Sequence, residues 1–71
     1  MSKRVTVSTS SGKYIYKLSE YNAKYTCLKL GGGIFFEKWY EIGSARSMDN
    51  ALSVIKSHAN KYGSVYSVYI D

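Results

Sequence analysis

A chain of 71 residues with a net charge of +5 and a single cysteine has few options. It is long enough for one domain, residues 1–71, near the lower size limit for a self-sufficient core. Lone Cys27 excludes an intrachain disulfide, and one Cys with one His cannot supply the four ligands of a structural zinc site. The positive balance favours polyanions as partners and makes the chain a poor acidic mimic of DNA.

Without a disulfide or a metal, a dense aromatic core or self-association is left to hold the fold. Eight tyrosines, two phenylalanines and one tryptophan are available for the first route. No long apolar segment follows the Lys3–Arg4 pair, so a secretory signal is not expected. No run approaches the roughly 18 apolar residues that span a bilayer, so no membrane partner is expected either. A single thiol in such a chain fits the cytoplasm.

Arg4 to Ser8 alternates and is rich in β-branched residues, which predicts a first strand. Ser8 to Gly12 is a turn cluster, and Lys13 to Leu18 is a second strand. Glu20 to Asn22 reads as a short connection, followed by a third strand from Ala23 to Leu30. Gly31 to Gly33 predicts a hairpin turn, because glycine reaches the positive φ angles that tight turns demand. Ile34 to Ile42 is a fourth strand, ended by Gly43.

Ser47 to Tyr62 is the predicted helix. Met48, Ala51, Leu52, Ile55, Ala59 and Tyr62 recur at helical spacing along one stripe. Ser47 or Ser44 is the expected N-cap, Asp49 suits the first turn, and Gly63 is placed as the residue that ends the helix. Ser64 to Ile70 alternates as a last strand. The order β-β-β-β-α-β predicts an α+β fold, an antiparallel sheet of four to five strands with one helix packed on one face.

One helix covers one face of such a sheet, and the other face is the place to look for function. Strand alternation puts Val5, Val7, Tyr14, Tyr16, Leu18, Leu28, Leu30, Ile34, Phe36, Tyr40, Ile42, Tyr66, Val68 and Ile70 beneath the helix. The open face then carries Arg4, Thr6, Lys13, Ile15, Lys17, Tyr25, Cys27, Lys29, Phe35, Glu37, Trp39, Glu41, Val65 and Tyr69. Lys38 is a misfit, lying on the helix side between Phe36 and Tyr40, and Lys24 falls there too, near a strand start where it can snorkel out. A bulge in the fourth strand would reverse its alternation and turn Phe35 and Trp39 inward.

Tyr25, Phe35, Trp39 and Tyr69 are the candidate stacking rings, and Arg4, Lys13, Lys17 and Lys29 the candidate phosphate contacts. Ser44 and Arg46, at the entrance to the helix, are a weaker anion candidate. Phosphate-loop chemistry is not expected, since the three glycines lead into a strand and not into Gly-Lys-Ser/Thr and a helix. His58 has no Cys or acid at catalytic spacing. Glu37 and Glu41 stand four strand residues apart, about 13 Å, wider than a glycosidase carboxylate pair. No enzyme, metal or cofactor is expected. The expected function is binding, of nucleic acid (single-stranded in preference to duplex) or of a protein partner, with a homodimer as a further possibility.

The aromatic signature of RNA recognition motifs and the glycine loop of KH domains are both missing. The compact, linker-free plan is similar to small phage-encoded proteins that modify or block a host machine, which implies an inhibitor or accessory role.

Overall fold

The computed structural model describes residues 2–32 and 35–71. Five antiparallel strands form one sheet: β1 (Ser2–Thr9), β2 (Gly12–Tyr21), β3 (Lys24–Gly31), β4 (Lys38–Ala45) and β5 (Val65–Ile70). One helix, α1 (Met48–Ala59), sits between β4 and β5 in the chain, giving the expected α+β plan. The sheet order is β4-β3-β2-β1-β5. The first four strands are therefore a meander, and α1 carries the chain across the sheet from one edge to the other.

Two short turns set the registers. Ser10 and Ser11 join β1 to β2, so that Thr9 faces Gly12 and Val5 faces Tyr16. The Thr9 hydroxyl donates to the Gly12 carbonyl at 2.9 Å and accepts from the Ser11 amide at 3.2 Å. Asn22 and Ala23 join β2 to β3 with φ of 51° and 59°. Two successive positive φ angles define the mirror-image turn whose twist matches a hairpin. This turn sets Leu18 opposite Cys27 and Tyr16 opposite Lys29.

That register overturns the expected alternation of β3. Tyr25, Cys27 and Lys29 lie on the helix side, while Leu28 and Leu30 lie on the uncovered side. The physical reason is the close approach of the helix. Small residues are needed where it crosses: Cys27 is fully buried and its thiol donates to the Ala51 carbonyl at 3.5 Å. On the neighbouring strand, a Cβ added to Gly43 would lie 3.0 Å from the Val54 side chain. Leucines at the Cys27 level would hold the helix away.

The fourth strand begins later than expected. Residues 35–37 precede β4, with Phe35 93% exposed and Phe36 also exposed, so neither ring belongs to the core. The predicted core residue Ile34 and part of the glycine turn, Gly33, fall outside the described residues. Gly43 does not end the strand. It follows a bulge, where Cys27 faces Gly43 and Leu28 faces Glu41, leaving Ile42 as the extra residue packed against the core. The bulge lies beyond Trp39, so Lys38 and Tyr40 keep the helix side and Trp39 the uncovered side, as alternation predicts.

The core consists of Val5, Val7, Tyr16, Leu18, Cys27, Ala51, Ile55 and Ala59. Ser47 caps α1, its hydroxyl accepting from the Asn50 amide at 3.2 Å, and Ser44 plays no part in the cap. The helix ends at Asn60, short of the predicted Tyr62. The amides of Lys61 and Tyr62 donate three residues back, to His58 and Ala59, which tightens the last turn. Gly63 is not the left-handed stop the sequence suggested, since the positive-φ glycines described are Gly12 and Gly32. It is a contact requirement, because a Cβ there would strike the Ser10 hydroxyl. Ser10 and Ser64 tie this corner to the β1–β2 turn through two 3.0 Å hydrogen bonds.

Helix α1 lies chiefly over β4 and β3. The far strand β5 is left largely bare on the helix side, so Tyr66 and Ile70, expected in the core, are 71% and 38% exposed. A second bulge, where Ser8 faces Ser67 and Thr9 faces Val65, turns Val65 against the core instead of onto the open side.

Candidate binding face

The face that α1 leaves uncovered is built row by row from the registers. One row runs Arg4–Lys17–Leu28–Glu41 across β1, β2, β3 and β4. The next has Tyr69 opposite Thr6 at one edge and Leu30 opposite Trp39 at the other, with Ile15 facing Thr6 between them. At about 4.8 Å per strand, Trp39 and Tyr69 stand roughly 19 Å apart. A third row carries Ser67, Ser8 and Lys13.

Arg4 and Lys17 are the electrostatically distinctive pair. Val5 and Tyr16 share the hydrogen-bonded register of the hairpin, which makes Arg4 and Lys17 a non-bonded pair whose side chains emerge about 4.5–5.5 Å apart. Two cations directly opposite one another repel. Lys17 leans away across β3, and its ammonium lies 4.2 Å from the centre of the Trp39 ring. A cation over an aromatic face is attracted by the ring quadrupole, worth about 0.5–1 kcal/mol at an exposed site. This contact places positive charge against one face of the indole.

The predicted site residues therefore divide. Arg4, Lys13, Lys17, Trp39 and Tyr69 share the uncovered face. Phe35 stands off the strand in the loop before β4. Tyr25 and Lys29 are on the opposite side of the sheet, and the registers that put them there correct their expected place on the open face. Ile15, Leu28 and Leu30, which sequence reasoning did not count as site residues, fill the centre of the face and are half-buried. The signal for the β3 inversion was the Asn22–Ala23 pair, since a two-residue hairpin loop between Tyr21 and Lys24 fixes which side Leu28 takes.

On the helix side, Lys29 belongs to an internal cluster. Its ammonium donates to the Leu30 carbonyl at 3.3 Å and lies 5.5 and 5.4 Å from the ring centres of Tyr14 and Tyr62. Those two rings stack at 4.7 Å. Beside them the Tyr16 hydroxyl meets His58 Nδ1 at 2.9 Å. Burial, assisted by the charges of Lys61 and Lys29, lowers the His58 pKa. Burial, then Tyr62 and Tyr14, pushes the Tyr16 hydroxyl up to about 12. Both shifts favour the neutral form, which is what a packed structural pair requires.

The weaker anion candidate is split as well. Ser44 is on β4 facing Thr26. Arg46 borders a shallow cavity of about 310 Å³ whose other walls are Tyr21, Asn22, Ala23 and Lys24. Among the described residues, no helix is long and apolar enough to cross a membrane. No family profile, curated protein or solved structure matches the chain significantly.

Proposed function

We propose that this chain is a small non-enzymatic binding module that holds single-stranded nucleic acid across its uncovered sheet face. The observation that carries this reading is the Lys17 ammonium 4.2 Å above the Trp39 ring, with Arg4 directly beside Lys17 on the same face. A base stacking on the indole would take the place of the Lys17 ammonium on the ring and free it, with Arg4 beside it, to meet the phosphate, and the charge of the polyanion would relieve the repulsion between Arg4 and Lys17. Tyr69, 66% exposed, offers a second ring at the far edge, and Lys13 a further cation. Single strands suit a face of this kind because their bases are free to lie on rings, whereas duplex bases are already stacked on one another.

The test is a titration of labelled single-stranded and duplex oligonucleotides at two salt concentrations. Single-strand binding that weakens steeply with salt supports the reading. Absence of binding at low salt ends it.

One observation favours a second reading, a protein-interaction module such as a small phage-type inhibitor or accessory protein of a host machine. Ile15, Leu28 and Leu30 form an apolar strip through the middle of the face, and a protein partner would use it more fully than a nucleic acid. A complex recovered from nuclease-treated lysate that survives moderate salt, and is lost on Leu28→Lys, supports this second reading.

A further inference from the structure

The two edges of the sheet are treated differently. The β4 edge carries Lys38 and Glu41 and is interrupted by the bulge at Ile42, all features that discourage another strand from pairing with it. The β5 edge carries no charge along Val65–Ile70, and its bulge, at Tyr66, lies at the start of the strand and leaves Ser67–Ile70 regular. Its sequence, Val-Tyr-Ser-Val-Tyr-Ile, has no charge and no proline, and it is rich in residues that favour strands.

The backbone of β5 is set up to pair. The Asp71 amide donates to the Arg4 carbonyl opposite it at 2.9 Å, which fixes the alternation along the ladder. Asp71, Tyr69 and Ser67 point their backbone groups at β1, so those of Val68 and Ile70 point outward. The side chains also lack cover: α1 lies over the other half of the sheet, and Tyr66 and Ile70 remain exposed on the helix side.

We infer that β5 is a self-association edge whose occupant is β5 of a second copy, paired antiparallel about a two-fold axis through Val68. In that register Val68 faces the partner's Val68, and Ile70 faces the partner's Tyr66. The four exposed apolar side chains, two from each copy, then cover one another on the side that the helix leaves bare. The axis is normal to the sheet, so the two uncovered faces join into one continuous surface. Each copy carries +5, and the contact itself is uncharged, so the copies repel at long range. Salt screens that repulsion and strengthens the pairing, the reverse of its effect on polyanion binding. The two readings thus fail independently.

Sedimentation velocity on the native chain, from micromolar to near-millimolar concentration and at two salt concentrations, tests this. The expected result is a doubling of mass with concentration, reached earlier at high salt. Ile70→Lys places a charge at each end of the pairing and is expected to leave only monomer. Val68→Pro removes an outward amide without breaking a bond to β1 and is expected to do the same. Should Val68→Pro fail to fold, Ile70→Lys at its exposed site decides. A native chain that is monomeric throughout, or an Ile70→Lys chain that still doubles its mass, overturns the inference.

Discussion

The Tyr16 hydroxyl and the Nδ1 atom of His58, 42 positions apart in the chain, meet at 2.9 Å beneath the last turns of α1. This pair links the centre of the sheet to the helix and makes stability depend on pH in two separate windows. Raising the Tyr16 pKa from 10.0 to about 12 means that the folded state holds the proton more tightly than the unfolded state. Its contribution is complete below pH 10 and is lost as pH climbs towards 12, an effect of about 2–3 kcal/mol at 1.36 kcal/mol per unit. Urea unfolding at a series of alkaline pH values is expected to show this loss in the native chain and a shallower slope in Tyr16→Phe.

His58 acts in the opposite direction. Its pKa is depressed below 6.5, so the unfolded state takes up the proton first. Stability is expected to fall as pH drops below about 6.5, and His58→Gln to flatten the profile between about pH 7 and pH 5. A thermal unfolding midpoint equally steep in pH for both chains would remove His58 as the cause.

Trp39→Ala separates binding from folding. The indole lies on the uncovered face and contributes nothing to the packing beneath α1, so the midpoint is expected to fall by a few degrees only. Loss of one base–ring stack is expected to weaken single-strand binding by about 1–3 kcal/mol, roughly five- to 150-fold. Lys17→Ala is expected to lower the salt slope of binding by about 1. Unfolding of Trp39→Ala would place the ring in the core and contradict the β4 register.

Ala23→Gly is expected to stabilise the fold. Ala23 sits at φ of 59°, a left-handed conformation that costs a residue with a Cβ roughly 1–2 kcal/mol and glycine much less. Relief of about 1 kcal/mol raises the thermal midpoint of so small a domain by about 4–8 °C. Calorimetry on the two chains measures it, and a lower midpoint in the variant would argue against the mirror-image turn.

Cys27 is expected to be chemically silent. The thiol is fully buried under Ala51, and burial, with the negative charge of Glu41 adding to it, raises its pKa. A maleimide should leave the native chain unlabelled and modify one site per chain in denaturant. Rapid labelling of the native chain would mean that α1 does not close over β3.

Much of the architecture is written in local patterns. The apolar stripe from Met48 to Ala59 marks a helix, and the alternation of Arg4 to Ser8 and Lys13 to Leu18 marks two strands whose faces came out as expected. What eluded local reading is a matter of single residues shifting the alternation. The Asn22–Ala23 turn shifts β3 by one position and exchanges Tyr25 and Lys29 for Leu28 and Leu30. The bulges near Ile42 and Tyr66 shift Gly43 and Val65. Phe35 and Phe36 look like strand residues by composition, but the connection they occupy is longer than three glycines suggest. Of the candidate site, the cations on β1 and β2 and the rings Trp39 and Tyr69 were legible, because no bulge or turn error lies between each of them and its nearest fixed register.

Because β5 returns to the side of β1, the backbones of Arg4 and Asp71 touch, and the order of strands in space differs from their order in the chain by one step. Joining the chain through that contact and opening it between β4 and α1 would remove the difference. The strands would then follow one another as β5-β1-β2-β3-β4, each pairing with its immediate neighbour in sequence. The long closure between β1 and β5 would become a hairpin, and its entropic cost would shrink to that of a short loop. Such a circular permutant keeps every strand pairing and has a lower contact order, so it is expected to reach the same sheet faster.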